Sequence, residues 1–231
     1  HVRFCYNGHI VGATYIELKV NGRLITFSGD IGRMKDPLLY PPELPVETDV
    51  LVIESTYGNR VHPPGAEGQL ARAIVESYSK NGTILVPSFA VERTQLLMFL
   101  LWKLKKRKAI PEVPVYMDSP MGRNVLEIFH RHSEWHRLSK EECTEMCHDI
   151  IRVKTMEETM KLVADQHPKI IIAGSGMATG GRILTYFERY LNDKAATILL
   201  VGYQAEGTRG RQLLDGAREI KLRGKFFKVS A

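Results

Sequence analysis

The 231-residue sequence has few cysteines and no long apolar run. Its three cysteines, Cys5, Cys143 and Cys147, are an odd number in a chain of this size. A disulfide scaffold is thereby excluded, and reduced thiols in a cytoplasmic setting are expected. No stretch reaches the roughly 18 apolar residues of a membrane span. The opening HVRFCYNGHIVGATYIELKV lacks the basic-then-apolar order of a signal peptide. No Gly-Lys-Ser/Thr ending completes a P-loop, and no Gly-x-Gly-x-x-Gly follows the first strand, so a nucleotide cofactor is disfavoured. Internal repeats, low-complexity tracts and coiled-coil heptads are also missing.

What is present is a moderately basic, core-forming composition. Hydrophobic residues make up 44% and the formal net charge is +6. That suffices for one substantial core or one core and part of a second. The charge is compatible with a polyanionic partner without demanding one.

Two regions differ in pattern. Residues 10–53 read as strands and turns: Ile10–Val20, then Asn21-Gly22, then Leu24–Ser28. An Asn-Gly pair between such runs marks a hairpin. A proline-rich connector (Pro37, Pro41, Pro42, Pro45) leads to the apolar strand Val50–Ile53. A change of pattern at about Tyr57–Gly65 marks a domain boundary, with residues 1–56 in one domain and 57–231 in the other. The second region alternates helices with short apolar strands at Thr83–Val86, Val115–Met117, Ile150–Val153, Ile170–Ala173 and Ile198–Val201. A further strand is expected at Glu219–Leu222. Such alternation predicts an α/β fold, a Rossmann-like parallel sheet covered by helices on both faces.

Ligands of open parallel sheets bind beyond the carboxyl ends of the strands. Four such ends here lead into PSFAVER, DSPMGR, GSGMATGGR and GYQAEGTRGR. Each holds a hydroxyl residue and then an arginine near the next helix start. Glycines turn backbone N–H groups inward, and arginine forks suit phosphate. Arg93, Ser119, Arg123, Ser175, Thr179, Arg182 and Arg209 are therefore candidate phosphate contacts, with Arg182 first among them. The competing reading is that Ser and Thr cap helices and Gly turns the chain.

In the first region His9, Asp30 and Glu54 stand at strand ends, where they could converge. The segment His130, His132, His136, Cys143, Cys147, His148 matches no zinc module spacing. It reads as an ordinary helical segment with Trp135 and Met146 packing inward. The run Lys103–Lys108 reads as the solvated end of a helix.

Taken together, GHIVGA, SGDIGR, ESTYGNR, VPSFAVERTQ, DSPMGR, GSGMATGGR and VGYQAEGTRGRQLLDGA resemble, in order and spacing, the motifs of the beta-CASP family of metallo-beta-lactamase-fold RNA nucleases. The resemblance implies that residues 1–56 form a strand-rich piece of a metallo-beta-lactamase αββα domain and that 57–231 form the beta-CASP domain. It implies that His9 is a zinc ligand, that Asp30 bridges two zinc ions, and that Glu54 hydrogen-bonds a later catalytic histidine. The parent would then hydrolyse RNA phosphodiesters with a two-metal-activated hydroxide. The family's His-x-His-x-Asp-His cluster is expected upstream of His9 and a histidine beyond Val229-Ser230-Ala231. The chain is thus expected to be an RNA-clamping piece of a longer enzyme, inactive alone, with RNA as partner, no membrane, and a homodimer or an RNA-processing complex as the assembly. The alternative is a non-catalytic RNA-binding or scaffold homologue.

Overall fold

The computed structural model describes residues 1–59, 61 and 65–231. Arg60, the last residue of ESTYGNR, and part of the expected boundary at Tyr57–Gly65 lie outside the described residues. The chain forms two compact units, His1–Pro64 with Phe129–Cys143, and Gly65–Ile128 with Thr144–Ala231. The segment of closely spaced histidines therefore lies with the amino-terminal strands.

The first unit is built on a mixed sheet of β1 (Val2–Tyr6), β2 (Thr14–Val20), β3 (Arg23–Phe27) and β4 (Val50–Val52), in that order. The Asn21-Gly22 hairpin forms as expected. Both residues have positive φ, 50° and 78°, and Val20 pairs with Arg23. This is the I′ geometry that matches the twist of paired strands. Strand β1 was not expected. Sequence patterning starts the first strand at Ile10, but Gly8 and Gly12 have φ of 69° and 83° and turn the chain there. Arg3 to Tyr6 instead pair with Thr14 to Glu17.

Cys5, Tyr15, Glu17 and Thr26 are buried on one face of this sheet. Leu38, Leu39, His136 and Leu138 are buried in the same unit. His136 stacks on Phe129 with ring centroids 4.0 Å apart. Its Nε2 lies 3.2 Å from the Phe129 carbonyl, and its Nδ1 accepts the Leu138 N–H. Burial holds its pKa below the usual value. Trp135, expected to pack inward, is 39% exposed and rests its ring against Tyr6. Met146, in the other unit, is fully buried. The opposite sheet face carries Val2, Phe4, Phe27, Val50 and Val52, all exposed. The registers Val2↔Leu18, Phe4↔Ile16, Ile16↔Phe27 and Phe27↔Val52 put them on one side.

The second unit is a five-stranded parallel sheet in the order β7-β6-β8-β5-β9. Its strands are β5 (Thr83–Pro87), β6 (Val115–Asp118), β7 (Ile150–Arg152), β8 (Lys169–Ala173) and β9 (Thr197–Ile198). Every residue of β5 and β8 is buried, as a sheet covered on both faces requires. The α/β architecture is the expected one. Helices α1 (Ala66–Ser79), α2 (Arg93–Lys106), α3 (Pro120–Arg131), α4 (Lys140–His148), α5 (Met156–Ala164), α6 (Ile183–Tyr190) and α7 (Arg209–Leu214) make the connections. A capping box of Thr155 and Glu158 starts α5. Strand β9 has two residues instead of Ile198–Val201. A second hairpin, β10 (Glu219–Leu222) with β11 (Lys225–Lys228), buries Ile220 and Leu222 against the unit's core cluster.

The run Lys103–Lys108 is the exposed end of α2, as expected, and most of its cations also have carboxylate neighbours. Lys103 and Arg107 pair with Glu67, Lys106 with Glu145, and Lys105, only 10% exposed, sits 3.1 Å from Asp149. Carboxylates of α1 and of the α4–β7 segment lie beside four of these cations. No helix among the described residues is long and apolar enough to cross a membrane.

Candidate functional site

In the first unit three sequence candidates lie in neighbouring turns. His9 follows β1, Asp30 follows β3, and Glu54 follows β4. His9 Nε2 is 3.7 Å from Asp30 Oδ2, and both side chains are open, 43% and 72% exposed. The Glu54 carboxylate accepts the N–H groups of Ile31 and Thr56 at 3.2 and 3.0 Å. The Thr56 amide is the main reason its pKa lies below the usual carboxylate range. Burial opposes this, while the Ile31 amide, the Thr56 side chain and His9 add to it.

Sequence reasoning overlooked the residue that ties these turns together. Asn7, 2% exposed, donates to the carbonyls of Ser28 and Asp30 and accepts the His9 N–H. The Ser28 hydroxyl accepts the Glu54 N–H. An Asn before Gly reads as a simple turn signal in sequence, which masks this bridging role.

An imidazole and a carboxylate at this separation, both open to solvent, are suitable zinc donors. They are two donors, fewer than the three or four protein ligands a zinc site uses. Among the described residues no group of three or more His, Cys, Asp or Glu is placed to hold a metal ion.

In the second unit the loops leaving adjacent strands β6, β8 and β5 meet at one sheet edge. Two of the glycines here are required by close approach. A Cβ on Gly181, which has φ of 76°, would lie 2.4 Å from the Gly174 carbonyl. One on Gly176 would strike the Phe89 ring. The Ser175 hydroxyl accepts the N–H groups of Thr179 and Gly180 at 3.1 and 3.2 Å, closing the loop on itself. Ser119 accepts the Gly122 N–H at 3.0 Å and so caps α3. Thr179 is exposed.

The arginines are not equivalent. Arg182 Nη1 is 3.3 Å from Oδ1 of Asp118, which is essentially inaccessible at the end of β6. It also bonds the Thr155 carbonyl and the Thr159 hydroxyl. The other Asp118 oxygen accepts Thr159 and Tyr186 hydroxyls at 2.6 and 2.8 Å. Burial first, then the Asp118 charge, pushes the Tyr186 phenol well above its ordinary pKa and keeps it a donor. Arg209 donates to the carbonyls of Lys221, Ala178 and Thr179. Arg93 lies 3.8 Å from Glu92. Glu92 itself has φ of 62° and ψ of −59°, a strained γ-turn closed by the Arg93 N–H on the Val91 carbonyl. Arg123 has its Nε buried with no hydrogen-bond partner among the described residues.

Most of this edge lies within the part of the chain that a known domain family matches. A family model described as the Beta-Casp domain matches residues 94–213, and the chain belongs to the beta-CASP family. Among curated relatives it is 30% identical to Ribonuclease TTHA0252 of Thermus thermophilus over 97% of this chain and 53% of that protein. It is 32% identical to an RNase J-like protein of Methanocaldococcus jannaschii over 98% of this chain and 56% of the relative. With cleavage and polyadenylation specificity factor subunit 3 of Dictyostelium discoideum it shares 29% over 94% of this chain and 29% of that protein. The chain spans about half the length of the first two.

Proposed function

We propose that this chain is the RNA-holding part of a zinc-dependent ribonuclease that hydrolyses phosphodiester bonds. The observation that carries this is the convergence of the β5, β6 and β8 loops into one glycine-lined edge in a beta-CASP domain. Phosphates would be held there by backbone N–H groups, by Thr179, and by Arg93 and Arg123. Ser119 and Ser175 shape the helix start and the loop, and Arg182 and Arg209 position the loop through Asp118 and backbone carbonyls while lending it positive charge.

His9 and Asp30 would supply two of the zinc ligands, and Asn7 would fix their turns. Zinc held there would supply Lewis-acid activation of water and charge neutralisation at the phosphodiester. Glu54 would orient a histidine through its carboxylate.

The test is fluorescence anisotropy of the 231-residue chain with single-stranded RNA. Binding should weaken linearly in log–log form between about 50 and 200 mM salt, with little dependence on sequence. Absence of salt-sensitive RNA binding removes the proposal. Cleavage by the longer parent, with and without zinc, tests the hydrolytic half of it.

A further inference from the structure

We infer that the β10–β11 hairpin is a second RNA contact, a stacking platform for a single-stranded base with flanking phosphate sites. The inference rests on the RNA-binding reading above and extends it to residues outside the glycine-lined edge.

The hairpin is anchored to the core of its unit. Ile220 and Leu222 are buried at 1% and 0% exposure, and Phe227 packs on the same core cluster. Arg209 holds the Lys221 carbonyl at 2.7 Å, and Arg223 reaches Glu188 and Thr185 from the turn. The register Lys221↔Phe226 and Glu219↔Lys228 places these four side chains on the face opposite the buried Ile220 and the partly buried Phe227. Phe226 is 69% exposed, and the Lys221 ammonium lies 5.7 Å from its ring centroid.

Charge separates this hairpin from the other basic segment. At the end of α2 four cations are committed to carboxylates. In residues 218–228 the cations are Arg218, Lys221, Arg223, Lys225 and Lys228, and the only acid is Glu219. Of these five, only Arg223 has a carboxylate partner among the described residues. Lysines on an edge hairpin also discourage edge-to-edge pairing. That role needs no aromatic ring on the exposed face, where an apolar side chain would oppose it. An exposed ring with uncommitted cations beside it is what single-stranded nucleic acid uses, with bases stacked on the ring and phosphates on lysine.

Arg209 joins this face to the rim. One guanidinium holds the carbonyls of Ala178 and Thr179 in the glycine loop and that of Lys221 in β10. A strand leaving the loop at Thr179 would therefore meet Lys221 and Phe226 next.

The test compares a short oligoadenylate with an RNA duplex of equal length, using the 231-residue chain. Phe226→Ala should weaken oligoadenylate binding about 5- to 150-fold, the range for loss of one stacked base, with the salt slope unchanged. Duplex binding should stay as it was, because paired bases cannot stack on the ring. Phe226→Trp should retain affinity and show quenching on oligoadenylate that the wild-type chain lacks. Lys221→Gln and Lys228→Gln should each lower the slope by about 0.7 for a single strand. Oligoadenylate binding unchanged in Phe226→Ala, with no quenching in Phe226→Trp, overturns the platform while leaving the rim reading standing. A wild-type chain that fails to bind oligoadenylate overturns both.

Discussion

Arg182→Ala separates two roles that one arginine at this edge could play. Its guanidinium lies 3.3 Å from Asp118 Oδ1, an atom with no hydrogen-bond partner among the described residues, on a carboxylate 1% exposed. At an effective dielectric near 20 a pair at that distance is worth about 5 kcal/mol before desolvation is charged against it. Removing the cation leaves the buried carboxylate without its counter-charge, which typically costs about 3–5 kcal/mol. The substitution should therefore lower unfolding stability by roughly that amount. Urea denaturation followed by far-UV circular dichroism, at constant m-value, measures it. The double variant Asp118→Asn/Arg182→Ala should recover much of the loss, because a carboxamide needs no counter-charge and can still meet Tyr186 and Thr159. The reasoning fails if Arg182→Ala costs under about 1 kcal/mol, the level of an exposed pair, yet abolishes RNA binding. Arg182 would then face phosphate directly.

Other expectations follow from the same geometry. Burial lowers the pKa of His136, so the unfolded chain binds more protons than the folded one between the folded pKa and the ordinary 6.5. Stability should thus fall on acidification below about pH 6.5, and His136→Gln should flatten that slope; an unchanged profile contradicts a neutral core histidine. Asn7→Ala removes two donated bonds and one accepted bond at a buried site and should cost about 1–3 kcal/mol by thermal or chemical unfolding. Lys105→Ala should cost more than the roughly 1 kcal/mol of an exposed pair and leave the RNA salt slope alone; a lower slope would return α2 to the RNA surface. After dialysis the 231-residue chain should keep well under one zinc by elemental analysis, because His9 and Asp30 are too few ligands. A full equivalent that vanishes in Cys143→Ser/Cys147→Ser would move the metal site to α4.

The exposed apolar face of the first sheet bears on how these measurements behave. Phe4, at 66% exposure, and Val52, at 50%, are the kind of contiguous apolar surface that packs against more polypeptide. The relatives are about twice as long as the region they share with this chain. Phe4→Ser should lower light scattering of the 231-residue chain; unchanged scattering would mean that this face does not drive association.

Local pattern alone determined the strands and helices of the parallel sheet, the Asn21-Gly22 hairpin and the position of the glycine loop. Each depends on residues near in sequence: apolar runs, turn residues, helix periodicity. The same kind of information placed Asp30 and Glu54 after their strands, but put His9 at the start of a strand where the structure has it in the turn after β1. It missed β1, because Gly8 and Gly12 turn the chain within an apolar stretch that reads as strand. It missed β11, where glycine and charge obscure a short element. What only the tertiary structure decided is what each charge meets. Arg182 lies 64 residues from Asp118 in the chain, and Lys105 lies 44 from Asp149, yet each pair is within 3.3 Å. Sequence shows that an arginine ends a glycine loop and that lysines end a helix. Only the fold brings a buried carboxylate to one and surface carboxylates to the others, and leaves Lys221 and Lys228 on the face of an exposed ring with no carboxylate partner among the described residues. Ion pairing depends on distances of a few ångströms set by packing, and the pattern of residue types along a chain does not contain them.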